Sequence, residues 1–189
     1  MARIVGGAPT RGGASGFPAV RRQHQRASAP ACGRRAKKNG ASQALGRSRG
    51  GLTTKLHVGC VDEVTAIATL LSEGQRHDSV PFAELYAQAC TAGTVRRVIA
   101  DKAYDGNPIR DRLRADGVKI CIPSPSHRRV KARCLRRFYR LRHKVENYFR
   151  KLFDFRRVAT RYDKLARAYL AFVHLAAVAI LVRHFVNTP

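Results

Sequence analysis

Two carboxylates in this chain stand where phosphate chemistry could be done. Asp101 closes the short apolar strand expected at Arg97 to Ala100, within VIADKAYDG, and open α/β sheets hold ligands at the C-terminal ends of their strands. Glu146 lies in YRLRHKVENYFRKL, with Tyr139 seven residues before it, Arg142 four before and Arg150 four after, so a helix carries all four on one stripe. An acid from a strand end and an acid from a packed helix can converge on a divalent cation such as Mg²⁺, which takes hard oxygen ligands. In phosphoryl transfer such ions activate the attacking oxygen and stabilise the leaving one. Each acid also has a plainer reading. Asp101 alone could be a strand-end turn residue, and Glu146 could form solvated i±4 pairs with Arg142 and Arg150, each worth about 0.2–0.5 kcal/mol.

The charge balance points to the partner of such a site. Among 189 residues, 37 are Lys or Arg and 12 are Asp or Glu, a net charge of +25 that repels itself unless a polyanion neutralises it. Nucleic acid fits best, because the basic residues run along the whole chain rather than gathering on one peripheral helix as membrane-surface binding would favour. No apolar run near the start has the form of a secretory signal. The longest apolar stretch, Ala168 to Val182, is interrupted by His174 and falls short of a bilayer span, so it reads as a buried core helix. The five cysteines are widely spaced and never form C-x-x-C, which argues against a disulfide framework or zinc knuckle and for a reducing, cytoplasmic, nucleoid-associated setting.

The elements that must position the two acids follow from periodicity. TTKLHVGCV and VTAIATLL alternate as a hairpin around an Asp62–Glu63 turn. Pro81 to Ala92 has helical spacing and is closed by Gly93; Arg97 to Ala100 is a strand; Asn107 caps a helix with Pro108 in its first turn, stopped by Gly117. VKICIP is the next strand. One long helix follows, with Phe138, Leu141, Val145, Tyr148, Leu152 and Phe155 at helical period, and a last apolar helix runs from about Lys164 to Phe185. This order gives an α/β fold with a mixed sheet. Residues 1–36 carry seven arginines and no acid, which reads as a disordered basic arm.

Tyr139, Arg142 and Glu146 match the Y-x2-R-x3-E signature, and the chain resembles bacterial insertion-sequence transposases of the DDE class, in the branch called insertion sequence family five. The resemblance runs from about Lys37 to Phe185 through ALGRSRGGLTTKLH, GQRHDS, VIADKAYD, the signature helix, FRRVATRYDK and AFVHLAA. It implies an RNase H-like mixed sheet with flanking helices, and residues 37–189 as a partial DDE catalytic domain. It further implies Asp101 and Glu146 as metal ligands, two Mg²⁺ ions with Mn²⁺ as a substitute, Arg142 orienting the glutamate or touching DNA, and Tyr139 beside it. The implied reaction is phosphodiester hydrolysis followed by attack of a DNA 3′ hydroxyl on target DNA. The implied partners are double-stranded DNA, as terminal inverted repeats and target, and a second copy in a homodimer, with no membrane. Arg47, Arg49, Arg150, Arg156, Arg157, Arg161 and Lys164 are the candidate phosphate contacts, for which an ordinary solvated face is the plainer reading.

The sequence departs from the family pattern twice. The usual lysine seven residues after the glutamate is Phe153 here, with Lys151 nearby on another angular face. The first aspartate of the triad belongs on a strand before GRSRGG, where this chain has RRQHQRASAPACGRRAKKNG. A consistent codon choice for Arg22 to Asn39, read one base later, gives D-S-T-S-V-R-A-H-Q-H, the family segment with its aspartate. Residues 1–36 therefore read as an out-of-frame arm rejoining the frame near Lys37–Lys38. The expected fold lacks its first central strand, leaving buried ladder groups unpaired unless another segment supplies it. Asp62 and Asp78 are not assigned as substitutes, and Asp105 reads as a turn or capping residue. The rival function is a non-catalytic basic DNA-binding protein that competes with intact transposase. An RNA-binding role lacks the exposed aromatic pattern of single-strand readers.

Overall fold

The structure is a computed structural model that describes residues 2–6, 19–26, 43–48, 51–132 and 134–187. Its strands are β1 (Ala2–Gly6), β2 (Ala19–Arg26), β3 (Gly46–Ser48), β4 (Gly51–Cys60), β5 (Ala66–Glu73), β6 (Val95–Ala100) and β7 (Lys119–Cys121). Its helices are α1 (Phe82–Ala92), α2 (Asn107–Ala115), α3 (Arg136–Tyr139), α4 (His143–Phe153), α5 (Arg156–Ala159) and α6 (Ala166–Asn187). The strands form one mixed sheet in the order β3-β4-β2-β1-β6-β7, with β5 also on β4.

The hairpin forms as its alternation dictates. β4 and β5 pair antiparallel, Leu56 opposite Leu71 and Val58 opposite Thr69, and the turn is closed by Asp62, whose Oδ1 accepts the Val64 and Thr65 N–H groups at 2.8 and 2.7 Å. Because side chains alternate along β4, Leu56, Val58 and Cys60 enter the core beneath α4 and α6. His57, one residue out of phase, meets Ser72 Oγ at 2.7 Å and the Tyr104 hydroxyl at 3.3 Å. On the other core, α1 and α2 cover β5 and β6 through Phe82, Leu85, Tyr86, Ile109 and Leu113, packed on Ala68, Val98 and Ala100.

The slot between β4 and β6 is occupied. β2 runs antiparallel along β4 from Val20 opposite Gly59 to Arg26 opposite Thr53, and Ala19 pairs parallel with Ile99 of β6, while β1 pairs antiparallel with β6. Two stretches of the expected disordered arm are thus strands, and they fill the place where a central strand was expected to be missing. The rest of that arm, and Arg49, lie outside the described residues.

Three local expectations are corrected. The long helix is broken: α3 and α4 are joined by a 3₁₀ turn at Arg140–Arg142. Helix α2 starts at Asn107, so Gly106 occupies the capping position, and the Asn107 side chain instead accepts from Arg128 Nη2 at 2.5 Å. Helix α6 is not a fully buried core helix. It buries Tyr169, Val173, Ala176 and Ile180, whereas Leu175, Val178, Val182, Phe185 and Val186 are exposed. By length and composition it could cross a membrane, but those four buried residues commit one face to the protein's own core.

Candidate active site

The alternation of β6 decides which way its acid faces. Val98 and Ala100 enter the core under α1 and α2, while Ile99 packs on the opposite side with Cys121 against Phe138, Tyr139 and Leu141. Asp101, two residues beyond Ile99, continues on the side of α3. Its Oδ1 accepts the Lys102 N–H at 2.7 Å, capping the short 3₁₀ turn Lys102–Tyr104.

The signature residues meet that strand end from the break between α3 and α4. Tyr139 ends α3, Arg142 ends the 3₁₀ turn, and Glu146 lies in the first turn of α4, where the helix N-terminus favours a carboxylate. Arg142 Nη1 is 3.2 Å from Glu146 Oε1, and its guanidinium lies 5.4 Å from the Tyr139 ring centre. Burial pushes the Tyr139 hydroxyl's pKa up; the Arg142 charge opposes this and the Asp101 charge adds to it. Tyr139 thus lies within electrostatic reach of Arg142 and of Asp101, and Arg142 pairs with Glu146. Side-chain exposures of 28% for Arg142 and 32% for Glu146 leave their pair accessible to solvent and to a ligand.

The candidate phosphate contacts divide. Arg47, Arg150, Arg156, Arg157 and Lys164 are exposed, with Arg156 Nε donating to the Tyr162 hydroxyl at 3.2 Å and Arg157 lying 4.1 Å over the Phe172 ring. Arg161 is not a surface cation. It is 1% exposed and donates to the Gln43, Asp163 and Lys164 carbonyls at 2.9–3.1 Å and to Thr54 Oγ1 at 2.5 Å. Its charge is spent on backbone carbonyls that would otherwise be buried unpaired, so the expected DNA contact there is withdrawn. Phe153, in the place of the family lysine, stacks on Phe149 with ring centres 5.7 Å apart.

Several polar groups near the site gave no sequence signal. The Asp105 carboxylate is buried, paired with Arg110 Nε and, at 3.1 Å, with Arg128 Nη1, while Arg110 Nη2 also donates to the Ile122 carbonyl at 2.7 Å. This cluster ties the loop after β6 to the loop after β7. A thiol hydrogen bond between Cys121 and Cys134, together with burial, raises the Cys121 pKa, and the same bond lowers that of Cys134 against the opposing effect of burial. Arg97 lies 3.6 Å over the Phe138 ring, and burial lowers its pKa. Asp105 to Arg110 is a spacing that could have suggested a local pair; the others join segments far apart in sequence.

The transposase DDE domain family matches residues 20–181. The chain belongs to that family. A Brucella ovis protein named as a transposase for the insertion sequence element IS6501 is 32% identical over 142 residues, covering 70% of this chain and 100% of the relative. No solved structure matches the chain. It is a DNA transposase of the bacterial insertion-sequence type, and DDE domains in general work with divalent metal ions and on DNA.

The residues present do not fit a two-ion centre. The first acidic residue of the sequence is Asp62, which is used up in the hairpin turn. Asp78 is buried 2.8 Å from Lys55 Nζ, and Asp105 is held by two guanidinium groups. Of the acids that the family pattern places, Asp101 and Glu146 are present, and among the described residues no three of His, Cys, Asp or Glu gather as a metal-binding group.

Proposed function

We propose that this polypeptide binds double-stranded DNA across the face bearing Asp101 and Glu146, and that as it stands it does not complete strand cleavage alone. The observation that carries this reading is what lies between β4 and β6. Strands β1 and β2 fill that slot, β2 along β4 and meeting β6 in parallel at Ala19 and Ile99, and neither ARIVG nor AVRRQHQR offers a carboxylate. In an RNase H-like sheet this slot holds the strand that carries the first acid. Two carboxylates bridge a pair of cations more weakly than three, and here one of the two is engaged by Arg142. Binding itself needs no metal, since exposed arginines and lysines release counterions from the phosphate backbone.

The shifted reading frame supports the same account. The aspartate of D-S-T-S-V-R-A-H-Q-H falls across the codons of Arg22 and Gln23, inside β2 and a few residues beyond Ala19, which pairs with Ile99 of β6. The restored frame would bring Mg²⁺-dependent cutting and joining at terminal inverted repeats, with Tyr139 and Arg142 setting the position of Glu146. The present chain would compete with that product for DNA ends.

The test compares the chain with a version carrying the restored segment. Both should retain DNA in EDTA, with salt-dependent affinity, and only the restored version should cleave element ends when Mg²⁺ or Mn²⁺ is added, losing that activity on Asp101→Asn or Glu146→Gln. Metal-dependent cleavage by the present chain, abolished by the same substitutions, would overturn the proposal. A coding sequence whose shifted frame contains no such peptide would remove the account of the missing acid.

A further inference from the structure

Two free thiols meet where the segment carrying Tyr139 and Arg142 joins the sheet. β7 ends at Cys121, and the basic loop SPSHRRVKAR separates it in sequence from Cys134, which nevertheless packs against Cys121 in the small cluster of Ile99, Phe138, Tyr139 and Leu141. Cys121 Sγ lies 3.9 Å from the Leu135 carbonyl and also hydrogen-bonds the Cys134 sulfur. A disulfide cannot bridge side chains held apart, and these two already touch. The segment they border is lightly fastened. Helix α3 has four residues and no side-chain cap, the 3₁₀ turn Arg140–Arg142 has none either, and both lean on Ile99 and Cys121 through Phe138, Tyr139 and Leu141.

We propose that Cys121 and Cys134 are a reversible oxidation site, joined as a disulfide by hydrogen peroxide, and that the bond locks the start of the signature segment to the end of β7. The two cysteines differ as a two-step oxidation requires. Cys134 is half-buried and Cys121 is buried. The hydrogen bond from Cys121 holds the Cys134 thiol below its ordinary pKa against the effect of burial, and the Arg110 charge adds to the lowering. Cys134 is therefore the thiolate of the pair, the form that attacks. Cys121 lines an open cleft of about 380 Å³ with Arg97, Lys119, Leu135 and Phe138, so a molecule the size of a peroxide can reach the pair. In the first step the Cys134 sulfur attacks one peroxide oxygen, the O–O bond breaks, and the departing hydroxide takes a proton to become water, leaving a sulfenic acid. In the second, the Cys121 sulfur attacks that of Cys134, the S–O bond breaks, and a second water leaves with the Cys121 proton. The two thiols are oxidised together by two electrons and one peroxide is reduced. Under reducing conditions both stay free, as in this structure, so the pair is a responsive site and no permanent framework. Closing the loop between them removes open states in which α3 leaves the sheet.

The test uses the full chain, reduced and then treated with a small excess of hydrogen peroxide, without DNA or metal, so its outcome is separate from that of the nucleic-acid reading. After alkylation of the remaining thiols and digestion with trypsin, mass spectrometry should find peptides 120–128 and 134–136 joined, and separated again by dithiothreitol. Cys90, exposed on α1, should still be alkylated in the joined form. Amide hydrogen exchange across residues 135–142 should slow by roughly tenfold in the oxidised chain and recover on reduction. Cys134→Ser should leave Cys121 unreacted and the exchange indifferent to peroxide, whereas Cys121→Ala should strand Cys134 as a sulfenic acid that dimedone traps. Oxidation of the unsubstituted chain that stops at a Cys134 sulfinic acid, with Cys121 still open to alkylation, overturns the proposal. So does linkage of Cys134 to other cysteines instead, or a joined pair whose exchange across 135–142 is unchanged.

Discussion

Asp101 and Asp105 stand four residues apart in one loop and live in opposite surroundings. Asp105 is sealed from solvent and held by Arg110 and Arg128; Asp101 is half-exposed at a strand tip, facing a tyrosine whose neighbouring Arg142 reaches the equally half-exposed Glu146. The same functional group, in the same short segment, is an anchor in one case and a solvent-reached cap at a strand end in the other. What separates them is how much water reaches each carboxylate. A buried ion pair is costly to break and adds little over an apolar substitute, whereas an exposed pair adds little either way and can be redirected toward a ligand.

That contrast can be broken most forcefully at the anchor. Asp105→Ala leaves Arg110 charged and buried, and should cost about 3–5 kcal/mol in denaturant unfolding. A loss below about 1 kcal/mol would mean that Asp105 anchors nothing and that the two acids do not differ as described. Next in size is Arg161→Met, which strips several buried carbonyls of a charged donor and should cost about 2–4 kcal/mol, seen as a lowered melting temperature. Glu146→Gln sharpens the other side: its pair with Arg142 is half-exposed, so stability should change by less than about 0.5 kcal/mol while titration with Mn²⁺ weakens. The smallest effect is expected for Arg150→Ala, which should leave the melt untouched and lower the slope of DNA affinity against salt by about one phosphate contact. If Arg150→Ala lowered the melting temperature instead, the exposed cations would be structural, as Arg161 is.

Arg161 also marks where sequence reading stopped. FRRVATRYDK holds Arg156, Arg157 and Arg161 within six residues, and nothing in their order says that the third turns inward, because its partners are carbonyls near Gln43 and the Thr54 hydroxyl. Lys55 and Asp78 are alike in this: TTKLH and GQRHDS were each visible as motifs, and only the fold joins them as a buried pair. The hairpin, α1, β6, α2, β7 and α6 were legible because each carries its own period and stop signals. The break at Arg140–Arg142 was not, since the apolar series Phe138, Leu141, Val145 passes through a 3₁₀ turn without interruption. The bare stripe of α6 was hidden for a related reason: an apolar helix looks the same in sequence whether one side or all sides are covered.

The guanidinium clamp of Arg161 on the Gln43 and Ala44 carbonyls spans 118 and 117 positions of chain. A growing polypeptide emerges from its N-terminus, so the segment leading into β3 cannot acquire these donors until nearly the whole domain has been made. Contacts of such range slow folding. During synthesis, β3 and the start of β4 would therefore wait, unsecured, for a residue made 117 or 118 positions later, and a nascent chain halted before position 161 should be readily cut there by protease.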